Sequence, residues 1–296
     1  MTGAITSLST FSIVACDPDS GECGVAVASK FLAVGSVVPW VRAGVGAIAT
    51  QAHANTTYGP AGLELLAQGY SAQETLNGLT VADGERDQRQ IGIVDARGRG
   101  ATFTGSGCYD WAGGRAGEYY AAQGNILARP AVVDALADTF AASSGPFAGR
   151  LLEALAAAQQ AGGDRRGQQS AALYVARAAG GYAGFNDRAI DLRIDDNHAP
   201  IEELRRLLDM HWLYMGETGA EDVLPIDEHR ARHIQEILRL SGHRSTPPTG
   251  AYDEETQDAF RALCGTENLE GRWRDEVAVD RVVLDYLARK YSVPVK

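Results

Sequence analysis

Residues 10–30 read TFSIVACDPDSGECGVAVASK. TFSIVAC (10–16) is a short apolar run rich in β-branched and aromatic side chains, which favours a strand. DPDSGE (17–22) stacks Asp, Pro, Ser and Gly, the residues that make tight turns. CGVAVASK (23–30) is a second apolar run that returns from that turn. The chain therefore opens on an antiparallel hairpin. VGAIATQA (45–52) is a third strand of the same apolar kind.

Beyond the strands come two helices. YGPAGLELLAQG (58–69) has Pro60 in its first turn and Gly69 past its end. SAQETLNGLTVAD (71–83) places Ser71 three residues before Glu74, the spacing of a capping box. RQIGIVDARGRGATFTG (89–105) reads as a hairpin turning at ARGRG. Segments 130–142 and 146–161 suit helices, and SAALYVARAAGGY (170–182) and DRAIDLRIDD (187–196) suit strands. Hairpins with paired helices between them do not wind as βαβ units. The expected class is α/β of the α+β kind: two sheets face to face with helices outside, a four-layer αββα sandwich over residues 1–208. PIEELRRLLDMHWLYM (200–215) is an amphipathic helix leading into a small helical domain over 209–296. That domain has helices at 226–243, 256–265 and 275–291, and an apolar face of Ile234, Ile237, Leu238, Leu240, Phe260, Leu263, Val283, Leu284 and Leu287.

The 296 residues suit one large and one small domain, and the 45% hydrophobic content is enough for a core. The formal charge of −11, from 27 basic and 38 acidic residues, disfavours nucleic acid and anionic membrane as partners. It also predicts a substrate that is small and not strongly anionic. The first residues lack the basic n-region of a secretory signal. Arg42, with Gly and Pro, breaks the most apolar stretch, FLAVGSVVPWVRAGVGAIAT, which reads as buried strands and not as a membrane span. Cys16, Cys23, Cys108 and Cys264 lack metal spacing. Cys16 and Cys23 can meet across the hairpin, but the expectation is reduced thiols and hence a cytoplasmic protein.

Four features carry chemistry. Thr10 and Ser12 put hydroxyls at the start of the first strand, where threonine is also a plain strand former. Lys30 ends an apolar strand; it either snorkels to solvent or lies between the sheets, where its charge would favour ionisation of a neighbouring hydroxyl. Gln51, His53 and Asn55 share one side if their strand continues. The Gly-rich segments TGSGCYDWAGG and AGGDRRGQQSAAL either expose backbone N–H groups to a ligand or are tight turns. They match no nucleotide-binding pattern, and the six histidines form no ligand pair, so neither metal nor cofactor is expected.

The opening stretch, with RQIGIVDARGRGATFTGSGCYDWAGG, QGNILA, GGDRRGQQSAALYV and DLRIDDN, resembles the DUF1028 family across about residues 9–208. That family resembles N-terminal-nucleophile hydrolases, which implies the αββα layering and an amide-bond hydrolase acting on a small molecule. The resemblance makes Thr10 the nucleophile, with its own freed α-amine as base. Nine residues precede Thr10, so such a site is latent until the Ser9–Thr10 bond is cut. By the same resemblance Lys30 is the activating lysine, Asp17 its partner acid, Ser106 part of the loop beside the nucleophile, and Asp164 with Ser170 a later polar pair. Thr10 lies seven residues before Asp17 and Lys30 eight after Glu22, so hydroxyl and ammonium are expected within hydrogen-bond reach. His53, Asn55, Tyr58 and Trp111 are expected at the pocket mouth. TGAYDEETQDAFRALCGTENLEGRW (249–273) resembles a peptidoglycan-binding-like domain, which sets beside the hydrolase a second reading as a non-catalytic binding or structural protein for cell-wall peptide. Trp40, Trp111, Trp212 and Tyr214, as interface anchors, predict a homo-oligomer.

Overall fold

The computed structural model describes residues 10–294 and divides into two compact units, the second beginning at Leu208. In the first unit the opening hairpin is β1 (Thr10–Asp17) and β2 (Glu22–Ser29), turning through Gly21 at a φ of 72°. A short strand β3 (Pro39–Arg42) precedes β4 (Gly46–Ala52). Helices α1 (Tyr58–Ala67) and α2 (Ala72–Val81) follow, and the Ser71–Glu74 capping box forms in both directions at the start of α2. Next come β5 (Arg89–Asp95), β6 (Gly100–Thr104), β7 (Gly113–Gly117) and β8 (Tyr120–Asn125). Helices α3 (Ala131–Ala142) and α4 (Phe147–Gln160) precede β9 (Ser170–Ala176) and β10 (Arg188–Ile194).

The strands form two antiparallel sheets, ordered β10-β9-β2-β1-β8-β7 and β3-β4-β5-β6. β1 and β8 pack over β4 and β5, so the sheets face each other. α3 and α4 cover the outer face of the larger sheet, and α1 and α2 that of the smaller one. Alternation sorts the side chains. Phe11 and Ile13 are buried on the α3–α4 side, and Ile48, Ile91 and Ile93 join the α1–α2 core. Val14, Val25, Val27, Ala47, Ala49 and Val94 fill one half of the space between the sheets. At Gly92 in β5, an added Cβ would stand 2.0 Å from Gln123 Oε1 of the facing sheet.

Cys16 and Cys23 face each other across the hairpin and are disulfide-bonded. This corrects the expectation of reduced thiols for these two, whereas Cys108 and Cys264 are free as expected; the disulfide removes the argument for a reducing compartment. Among the described residues no helix is long and apolar enough to cross a membrane.

The second unit holds the end of α5 (Pro200–Met215), α6 (Glu228–Leu240), α7 (Glu254–Thr266) and α8 (Arg281–Lys290). Strands β11 (Val223–Pro225) and β12 (Ala278–Asp280) pair antiparallel, so the expected helix over 275–291 starts later, at Arg281. Ile234, Ile237, Leu238, Phe260, Leu263, Val283, Leu284 and Leu287 form its core, whereas Leu240, in the last turn of α6, is 45% exposed. Asp280 is buried, receives Arg274 and Thr218, and lies 3.5 Å from Arg272.

Candidate functional site

One end of the space between the sheets is polar. Thr10, Ser12, Gln51, Gln90, Gln123 and Asn125 are fully buried there, and Ser29 nearly so. A polar group taken from water must find partners in the protein, and each of these residues makes hydrogen bonds here, although Gln123 Oε1 has no partner among the described residues. Thr10 Oγ1 donates to Ser29 Oγ at 3.3 Å, and Thr10 O accepts from Gln51 Nε2 at 3.3 Å. Ser12 Oγ donates to Gln51 Oε1 and accepts from Gln123 Nε2, both at 2.7 Å. Gln90 Oε1 accepts from Gln51 Nε2 and Asn125 Nδ2 at 2.8 and 3.0 Å. Gln90 Nε2 donates to Thr104 Oγ1, Gly113 O and Gly124 O. The amides thus bridge the two sheets beneath the first residue of β1.

The register decides what faces Thr10. Its neighbours across the sheet are Ser29 on β2 and Asn125 on β8, and Ser170 on β9 pairs with Ser29. Lys30 lies one residue beyond Ser29, is exposed, and donates its Nζ to Gln168 O at 3.2 Å. Among the described residues no hydrogen bond joins it to Thr10, so the expected hydroxyl–ammonium pair is replaced by a pair of hydroxyls. Asp17 stands at the far end of β1, where its Oδ1 accepts from Asp19 N in the turn. Asp164 is buried and accepts from Lys30 N, Arg166 N and the Arg166 guanidinium. Ser170 Oγ donates to Phe31 O and accepts from Val34 N, which pins the chain after β2. Ser106 is exposed. The N–H groups of Gly105 and Gly107 donate to Arg89 O and Asp87 O, so this loop is a tight turn whose glycine N–H groups are already used.

Gln51 points between the sheets, but His53 and Asn55 do not continue its face, because Ala52 takes a φ of 65° and ends β4. They join a second cluster instead. Asp83 accepts from Arg89 Nε, Tyr58 Oη and Asn55 Nδ2 at 3.0, 2.8 and 3.2 Å. Arg89 NH1 donates to His53 O, and the His53 ring lies 6.5 Å from that of Tyr109. Trp111 is half-buried and packs over Gly113. Trp40 packs into the α1–α2 core and Tyr214 into the core of the second unit, which removes two of the four anchors behind the expected homo-oligomer.

Burial works to raise the pKa of Asp83, but the donors on it, Arg89 first, outweigh this and hold it well below the usual carboxylate range. Burial and Asp83 push Tyr58 up. A depressed folded-state pKa means Asp83 stabilises above its unfolded value near pH 4, and that contribution is lost as pH falls through the folded pKa. Asp83→Asn is expected to cost about 1–2 kcal/mol at pH 7 and to flatten the fall of stability below about pH 4. Urea titrations at a series of pH values check both, and an unchanged acid limb would show that Asp83 does not link to folding.

The sequence model described as "Family of unknown function (DUF1028)" matches residues 10–204. The chain belongs to this family. The crystal structure of a DUF1028 protein from Silicibacter pomeroyi is similar to it, with 34% identity and a TM-score of 0.64 over 71% of this chain and 92% of that one. The model described as "Putative peptidoglycan binding domain" matches residues 214–287, in the second unit. No curated protein matches the chain.

Sequence reasoning passed over Ser29, Gln90, Gln123 and Asn125 in this DUF1028 chain. Ser29 was within reach of the hairpin count. Gln123 and Asn125 sit on β8, whose YAAQGN carries little strand signal.

Proposed function

We propose that the N-terminal unit is an amide-bond hydrolase of the N-terminal-nucleophile type, acting on a small molecule and latent until the Ser9–Thr10 bond is cut. The observation that carries the reading is the place of Thr10. It opens a central strand of an αββα sandwich, with its hydroxyl and carbonyl held at the polar end between the sheets. Ser9 and the eight residues before it lie outside the described residues. Hydrolysis of that bond would release a carboxyl on Ser9 and an amine on Thr10. The amine takes the Thr10 hydroxyl proton as Oγ1 attacks an amide carbonyl, and passes it to the leaving amine. Water then hydrolyses the ester and restores Thr10. Ser29 Oγ stands where it can donate to the forming alkoxide, a role the resemblance gave to Lys30.

Intact-mass analysis of protein from its native source tests the proposal. The expected mass lacks the first nine residues. Full-length chain alone, with amide hydrolysis that persists after Thr10→Ala, would end the N-terminal-nucleophile mechanism.

The second reading, a non-catalytic binding protein, is favoured by one observation: among the described residues neither Lys30 nor Asp164 hydrogen-bonds Thr10, and each bonds elsewhere. In the C-terminal unit, a groove of about 350 Å³ lies between the start of α6 and residues Thr249–Tyr252. On this reading it would take the cell-wall peptide. Sedimentation with insoluble peptidoglycan checks this, and protein left wholly in the supernatant would count against it.

A further inference from the structure

In a chain of net charge −11, two exposed cations stand close to the Thr10 end of the sheet. Thr10 pairs with Ser29 on one side and Asn125 on the other. One residue past Ser29 stands Lys30. One residue past Asn125 stands Ile126, whose carbonyl accepts the backbone N–H of Arg165 at 3.1 Å. Lys30 thus follows the strand on one side of Thr10, and a loop residue, Arg165, is tied by its backbone just beyond the end of the strand on the other. The loop that carries Arg165 is built into the sheet: Gln169 N donates to Ser29 O, and Leu127 bridges to Asp164.

The charges in this loop are not equally engaged. Asp164 is buried and spent on Arg166, whose Nε and NH2 reach Oδ1 and Oδ2 at 3.2 and 3.1 Å. The remaining N–H of that guanidinium edge, also from NH2, goes to Lys30 O at 3.2 Å. Among the described residues Lys30 Nζ makes one hydrogen bond, to Gln168 O, which leaves two of its three donors open. Among the described residues the exposed Arg165 guanidinium makes no hydrogen bond or ion pair. The nearby Asp196 accepts from Gln169 Nε2. Of the acids in this loop and beside it, Asp164 and Asp196 already have donors, which leaves Lys30 and Arg165 as the cations with open donors.

We propose that the site takes an amide bearing a free carboxylate, held by Lys30 and Arg165; this rests on Thr10 marking the reaction site. A planar guanidinium and an ammonium with open donors suit a carboxylate, which accepts from both at once. A neutral amide would leave those donors to water. Local charge can oppose net charge, so the expectation of a substrate that is not strongly anionic gives way here. The assignment also gives Lys30 a use compatible with its exposure, in binding and not in activating Thr10.

The test compares binding of N-acetyl-L-alanine with that of its neutral amide, N-acetyl-L-alaninamide. It uses purified protein in whichever N-terminal form its intact mass shows, at low and at high salt. The acid is expected to bind about tenfold tighter at low salt, with the preference shrinking as salt screens it. The double variant Lys30→Met/Arg165→Ala is expected to abolish the preference without weakening the neutral probe. Equal affinities, no binding of either probe, or a preference that survives the double variant would overturn the proposal. A preference that holds in protein lacking its first nine residues, yet hydrolysing neither probe, would count against the hydrolase reading while leaving the carboxylate assignment in place.

Discussion

Thr10→Ala is expected to lower amide hydrolysis by the processed protein at least about a thousandfold, because removing a nucleophile removes the covalent route entirely. The fold should survive. Among the described residues Thr10 makes one side-chain hydrogen bond, to Ser29, and the bond from Gln51 goes to its carbonyl, which alanine keeps. The stability cost should be about 1 kcal/mol. Thr10→Ser restores a hydroxyl at the same place and should recover much of the rate. The measurement is single-turnover hydrolysis beside a denaturant titration for each variant. A large loss of stability with Thr10→Ala would mean that the hydroxyl serves the fold, and a rate that does not change would exclude Thr10 as nucleophile.

Gln90→Leu is expected to destabilise the N-terminal unit by about 3–5 kcal/mol. The side chains are close in size, so little of this is lost packing. Gln90 Oε1 accepts from Gln51 and Asn125, and its Nε2 donates to Thr104 and to the carbonyls of Gly113 and Gly124. Leucine leaves these facing an apolar group in a place that water does not reach; Gln51 Nε2 keeps its bond to Thr10 O, and each group left with no other partner costs about 1–3 kcal/mol. A urea midpoint shifted by less than about 1 kcal/mol would mean that water enters this end of the sandwich and satisfies the orphans. Activity offers a second readout, since Gln51 loses one of its anchors while holding the Thr10 carbonyl.

Much of the fold was legible because its elements carry strong local signals. The opening hairpin has β-branched runs around a six-residue turn, and α2 has its capping box. β7 and β8 were not legible. GGRAG and YAAQGN are built from small residues that contribute little strand preference and no clear alternation. Their place is set by the neighbours they pair with, so Gln123 and Asn125 stayed hidden. Thr10 was legible as the opening of β1, but its partner was not. Counting seven residues back from Asp17 and eight on from Glu22 singled out Lys30, whereas the ladder runs Asp17 to Glu22 and Thr10 to Ser29. A slip of one residue in a strand reverses the face, and here it also carries the chain past the strand end into solvent. His53 and Asn55 failed for a related reason, since nothing in TQAHAN announces that Ala52 will adopt a left-handed backbone.

Gly92 and Gln123 share one volume, and this ties together two strands that are far apart in sequence and lie in different sheets. The amide of Gln123 occupies the space that a side chain at position 92 would need. Neither residue can therefore change size independently. Gly92→Ala should be damaging alone and much milder beside Gln123→Ala, which empties the shared space. A double-mutant cycle would show coupling of the favourable sign between residues that no hydrogen bond connects. At this point steric exclusion, as much as attraction, limits how closely the sheets approach.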